Sequence, residues 1–129
     1  MIPEPLTREL LIDSCHSSVE AKRRIIAELG SQDFIRLLVR IAVDADDYEG
    51  DAPMQAAYFL SRASPALTKP YEAELLALLT TAEGYSGSVA LTLGRMKSQE
   101  AKPIISRMLA EGFWPAHAYE EALAQYNEA

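Results

Sequence analysis

A single cysteine, Cys15, in 129 residues excludes an intrachain disulfide and any multi-cysteine metal site. Only two histidines occur, His16 and His117, and neither an HExxH nor a CxxC spacing is present, so no metal or other cofactor is expected. Long apolar runs are also missing. The longest are about five residues, Leu75 to Leu79 among them, too short to span a bilayer. The opening Met-Ile-Pro-Glu-Pro lacks a basic stretch followed by an apolar core, so nothing marks the chain for export and a cytoplasmic location is expected. Positive charge is scarce: 12 lysines and arginines face 19 acids, a net charge of −7. The excess is uneven, −5 up to residue 51 and −2 beyond it. Nucleic-acid affinity rests on cationic contacts that release counterions, and this balance has the wrong sign for it. The one basic run, Lys22-Arg23-Arg24, would point in directions about 100° apart on a helix and forms no patch. An acidic surface suits solubility or a basic protein partner better.

What is present favours helices. Alanine (20) and leucine (16) outnumber valine, isoleucine and threonine together (17), and no Asn-Gly or Asp-Gly hairpin signal appears. One domain suits this length. Pro5 opens a first helix to about Cys15. Ser17 with Glu20 reads as a capping box for a second, about 18–29, and Gly30 suits a left-handed helix end. Ser31 caps a third, about 32–46, with Arg36, Arg40 and Asp44 repeating on its outer stripe. Asp51 caps a fourth helix, carrying Pro53 and ending near Ala63. Thr68 starts a fifth, about 69–82, before a turn bracketed by Gly84 and Gly87. Val89, Ala90, Leu93 and Met96 mark a sixth, Ser98 caps a seventh ending at Gly112, and Pro115 opens an eighth through about Tyr126. The fold class is all-α.

Internal periodicity organises these helices. Leu29-Gly30-Ser31-Gln32-Asp33 overlays Met96-Lys97-Ser98-Gln99-Glu100, and the paired apolar residues that follow also align. The offset is about two periods of 33 residues, with Leu67-Thr68 as a middle junction. The stretch 89–112, VALTLGRMKSQEAKPIISRMLAEG, resembles a HEAT-like repeat of the short bacterial type. The match runs through Leu93-Gly94-Arg95-Met96, Ser98, Glu100-Ala101, Pro103, Ile104-Ile105 and Gly112. In such a repeat Gly94 permits close helix approach. The resemblance implies a right-handed α-solenoid of three to four stacked antiparallel helix pairs in one domain, 1–129. Its repeats would fall at about 17–50, 51–84 and 85–112, with end helices at 5–15 and 115–126. A concave face would be lined by the second helices, about 32–46, 69–82 and 99–111.

Catalytic chemistry finds no support. An EF-hand loop from Asp44 would need glycine at position 49 and glutamate at position 55, where Glu49 and Gln55 stand. Cys15 and His16 are neighbours that diverge on a helix, and His117 lies about a hundred residues further on. Cys15 reads as a buried small hydrophobe and the histidines as surface residues. Glycines 84 and 87 lack the lysine of a phosphate-binding loop. Carboxylate pairs such as Glu120/Glu121 diverge as well. The chain is therefore expected to be no enzyme.

The expectation is a protein-binding module that uses a concave helical face and an acidic loop. An immunity or inhibitor protein neutralising a basic toxin or enzyme is its specific form. The residues that would contact the partner are Arg36, Arg40, Asp44, Asp46, Asp47, Glu49, Asp51, Arg107 and Trp114. Trp114 also reads as a plug covering the apolar end of the stack beneath the last helix. Two other readings stand beside this one. HEAT-like repeats occur in bilin lyases, whose repeats the chain resembles, which implies a cofactor-handling accessory; a structural subunit of a larger complex is the other.

Overall fold

The computed structural model describes residues 2–44, 47, 50–81 and 85–128. Helices make up 76% of the structure and no strand occurs among the described residues, so the chain is all-α. In order they are α1 (Glu4–Cys15), α2 (Val19–Glu28), α3 (Gln32–Ala42), α4 (Asp51–Leu60), the single turn α5 (Pro65–Thr68), α6 (Glu72–Leu79), α7 (Ser86–Arg95), α8 (Ala101–Ala110) and α9 (Ala116–Ala124). Short 3-10 turns, Lys69–Tyr71 and Gln125–Asn127, precede α6 and follow α9. None of these helices is long and apolar enough to cross a membrane.

Serine hydroxyls cap three of the helix starts. The Ser31 hydroxyl accepts from the Phe34 N–H at 3.3 Å, and Ser98 accepts from the Ala101 N–H at 3.3 Å, each satisfying an orphan donor. The second helix is capped one residue later than the spacing suggests: Ser18, not Ser17, accepts from Ala21 N–H at 3.1 Å. Ser17 instead ends α1 in the left-handed region, φ 74°, with the Ser18 N–H reaching back to the Asp13 carbonyl at 3.0 Å. Lys97 ends α7 and Gly112 ends α8 in the same way, at φ 58° and 83°. Gly30 has no positive φ, so the left-handed end expected there does not occur. The fourth helix begins with Asp51 inside its first turn and Gly50 at the cap.

Two helices are shorter than their patterns suggest. α3 stops at Ala42 and does not run to residue 46, because acids crowd a helix C-terminus that favours cations, and the buried Tyr85 hydroxyl takes the Ala42 carbonyl at 3.1 Å. The expected helix over 69–82 opens as a 3-10 turn around Pro70, which has no N–H to donate, and is α-helical only as α6; the single turn α5 precedes it where a link was expected. Conversely α7 starts at Ser86, which draws Gly87 into the helix and out of the expected turn.

The packing has a spine. α1 lies against α4, α4 against α7 and α7 against α9, while α2 joins α1, α3 joins α4, α6 joins α7, and α8 joins both α7 and α9. The pairing of α3 with α4 crosses the boundary at residues 50–51 between the first two sequence repeats. Phe34, Phe59 and Tyr119 are the largest side chains sealed inside. The α7–α9 seam is made by small residues: a Cβ on Gly94 would stand 2.5 Å from the Ala122 carbonyl oxygen, and one on Gly87 would stand 2.9 Å from the Ala118 Cβ. These contacts advance together along both helices, so α7 and α9 run in the same direction, and Gly94 serves the close approach expected of it. Arg95 then closes the end of α4, donating to the Ser61 and Ala63 carbonyls at 2.5 and 2.8 Å.

The end of the molecule behind α9 carries a measurable signature. The Tyr126 hydroxyl donates to the Ser98 carbonyl at 2.7 Å, and its ionisation is pushed up to about 12 by burial and then by the negative charge of Glu72. Glu72 itself is held below the ordinary carboxylate range by Lys69 and by the Ser98 hydroxyl. A phenol that is harder to ionise when folded supports stability fully below its unfolded value of 10.0 and loses that support as pH rises through about 12. Denaturant midpoints measured across this alkaline window are therefore expected to fall more steeply for the native chain than for Tyr126→Phe. Parallel curves would place Tyr126 outside the packed end.

Candidate functional site

Two of the acids expected to form a docking loop, Asp44 and Asp47, are drawn onto α1. Arg8 is only partly exposed, and its guanidinium reaches Asp44 at 2.9 Å, Asp47 at 3.4 Å and Glu4 at 3.4 Å. Glu4 also meets Arg40 at 3.2 Å, so Arg40, Asp44 and Asp47 share one network between α1 and the end of α3. Asp51, at the start of α4, lies 3.4 Å from the His16 imidazole. Asp46 and Glu49 lie outside the described residues. Arg36 is exposed and pairs with Asp33 at 3.1 Å; hydrogen bonding to Tyr71, and then Asp33, hold it still more firmly protonated. Arg107 stands exposed on α8 with no ion pair among the described residues. The network therefore gathers Arg40, Asp44 and Asp47, while Arg36, Asp51, Arg107 and Trp114 each stand apart from it.

Trp114 does not plug the end of the stack. It is 86% exposed, in the link between α8 and α9. The interior position belongs to Tyr119, whose ring meets Phe113 edge-on at 6.3 Å and whose hydroxyl is 2.7 Å from Ser86 Oγ. An amphipathic tyrosine can be sealed because Ser86 satisfies its hydroxyl, and the stack then has no further use for the indole. Cys15 is likewise only half-buried.

A groove on another part of the surface was not legible in the sequence. Its main depression, about 460 Å³, opens between the end of α1, α2 and α4, where Cys15, Lys22, Ile26, Gln55, Tyr58 and Arg62 line it. A second depression of about 210 Å³ shares Tyr58 and Arg62 and continues to Leu91 on α7 and His117 on α9. A third of about 300 Å³ again shares Arg62 and reaches Arg95 and Glu121. The groove thus crosses α2, α4, α7 and α9, whereas the concave face was expected on the second helices at 32–46, 69–82 and 99–111. A separate depression of about 260 Å³ between Val43 and α6 does lie on that expected side.

The groove leaves apolar surface in water: Ile26 is 58% exposed and Tyr58 43%, with Val19 seven residues before Ile26 on the same face of α2. The Arg62 guanidinium sits 6.0 Å above the Tyr58 ring. Neither Lys22 nor Arg62 has an ion pair among the described residues, although Arg8, Arg23, Arg36, Arg40 and Lys69 each reach a carboxylate. No group of three acids, histidines or cysteines that could hold a metal is assembled among the described residues. Cys15, Lys22 and His117 were each noted in the sequence, but nothing in it placed them on one groove. Compared with known families, curated proteins and solved structures, the chain matches none.

Proposed function

We propose that the chain is a non-enzymatic protein-binding module built as a short right-handed solenoid of HEAT-like helix pairs. The spine of α1, α4, α7 and α9, and the common direction of α7 and α9 with α8 between them, support the stacked arrangement. The observation that carries the binding role is the groove across four helices with Ile26 and Tyr58 left exposed inside it. Surface apolar groups of this size, concentrated in a depression, gain most by being covered.

Neutralisation of a basic toxin or enzyme remains the form favoured by the net charge of −7. Its acidic-loop version has less to offer a partner, because Asp44 and Asp47 face Arg8 and Asp51 faces His16. The test is affinity capture from a native extract with washes at low and high salt, comparing the native chain with Asp47→Lys. One partner held in stoichiometric amount by both chains is expected. Loss of that partner with Asp47→Lys would return the role to the loop, and retention of nothing at either salt would overturn the binding module.

A further inference from the structure

We propose that the groove formed by α2, α4, α7 and α9 docks an acidic, amphipathic segment of a partner protein. Its carboxylates meet Lys22 and Arg62, and its apolar side chains cover Ile26 and Tyr58. The proposal rests on the binding-module reading and gives that module's occupant a chemistry opposite to the one suggested by the overall charge.

Charge complementarity decides the occupant. Of the 12 lysines and arginines, five are seen in carboxylate pairs among the described residues. Lys22 and Arg62 are not among those five, and they share the walls of one depression whose described lining residues include no acid. A third cation, Arg95, lines the adjoining depression, where its charge persists while its N–H groups are held by the Ser61 and Ala63 carbonyls. Among the described residues, Glu121 is the single acid lining these two further depressions. Carboxylates brought to Lys22 and Arg62 would form charge-assisted hydrogen bonds beside apolar walls that exclude water, where such bonds are strongest. The Arg62 guanidinium already lies over the Tyr58 ring, 6.0 Å from its centroid, on the side where a carboxylate would arrive.

The apolar walls set the second requirement. A polyanion such as a nucleic acid would satisfy the two cations but leave Ile26 and Val19 uncovered, and it would meet a repulsive field from the rest of the molecule. A second copy of this chain would bring the same net negative charge to a surface that is mostly acidic. A short segment with carboxylates and leucine- or phenylalanine-like anchors at helical spacing meets both requirements.

The probe is a panel of fluorescein-labelled peptides with glutamates and leucines at helical spacing, alongside versions in which every glutamate is replaced by glutamine or lysine. Binding is followed by fluorescence anisotropy at low and high salt. The glutamate peptides are expected to bind the native chain and to weaken with salt. A Lys22→Glu, Arg62→Glu double variant is expected to lose at least about tenfold in affinity for them and to turn towards the lysine peptides. Both side chains are solvent-exposed and have no hydrogen bond among the described residues, so the variant should keep the native melting curve, which is measured alongside. Equal binding by native and variant chains, preference of the native chain for lysine peptides or single-stranded RNA, or concentration-dependent dimerisation abolished by the double variant would each overturn the proposal. If the partner captured from extract is retained undiminished by the double variant, the binding module stands and this occupant falls. If no partner is captured at all, the module falls first.

Discussion

Tyr119→Ala is expected to lower the stability of the fold by about 3–5 kcal/mol, a Tm reduction on the order of 10–20 °C for a chain of this size. Tyr119 is completely buried under α7, and its ring is the largest side chain sealed in the interior. Alanine would leave a cavity walled by Phe113 and by backbone that α7 and α9 hold fixed, so little collapse can fill it. It would also strip the Ser86 hydroxyl of its 2.7 Å partner inside the protein. Tyr119→Phe separates the two effects. It keeps the ring and removes only the hydroxyl, with an expected cost of about 1–2 kcal/mol for the stranded serine. Thermal and urea denaturation of the two variants provide the check. An alanine variant as stable as the native chain would mean that this end of the molecule is not packed around Tyr119.

Gly94→Ala is the second substitution with a large expected effect, and its sign runs against helix propensity. In an exposed helix interior, alanine would gain about 1 kcal/mol over glycine. Here the new methyl would stand 2.5 Å from the Ala122 carbonyl oxygen and 3.1 Å from the Ala122 Cα. Both obstacles are backbone, so no rotamer change relieves them and the two helices must move apart. Overpacking of this kind costs about 1–3 kcal/mol net, or a Tm loss on the order of 4–10 °C. Gly30→Ala provides the internal contrast, because a methyl there meets nothing within 4 Å and no positive φ is involved. Denaturation curves should move in opposite directions for the two glycines. A stabilised Gly94→Ala chain would show that α7 and α9 are not in close contact.

These two residues also mark how far sequence reading reaches. Gly94 was legible as a site of close approach because it sits in a repeat-like run before a turn. Tyr119 was not, since nothing in its spacing distinguishes it from Trp114, the aromatic expected to cover the end. Only packing reveals that Ser86 waits for a hydroxyl at that point, so tyrosine enters and the indole stays in water. Helix ends divide along the same line. Ser31 and Ser98 could be read as caps because a hydroxyl and the N–H three residues on are local partners. The left-handed ends at Ser17 and Lys97 could not, because side chains with a Cβ take that conformation only when the surrounding helices hold them there.

The candidate site shows the greater gap. Arg36, Arg40 and Asp44 were visible as a four-residue stripe, and they do lie along α3 and its end. Their partners, Glu4 and Arg8 for two of them, come from α1 and carry no signal at that separation. The groove lies further still from sequence, since Ile26, Tyr58, Leu91 and His117 come from four helices spread over most of the chain. By itself the sequence determined the helical class, several helix starts, and that no helix among the described residues is long and apolar enough to cross a membrane, because those depend on composition and on contacts within about four residues. Which aromatic is buried, which charges are consumed within the chain and where a groove opens were decided by tertiary structure alone. Each depends on the close packing of helices distant in sequence, and no local pattern encodes which faces will meet.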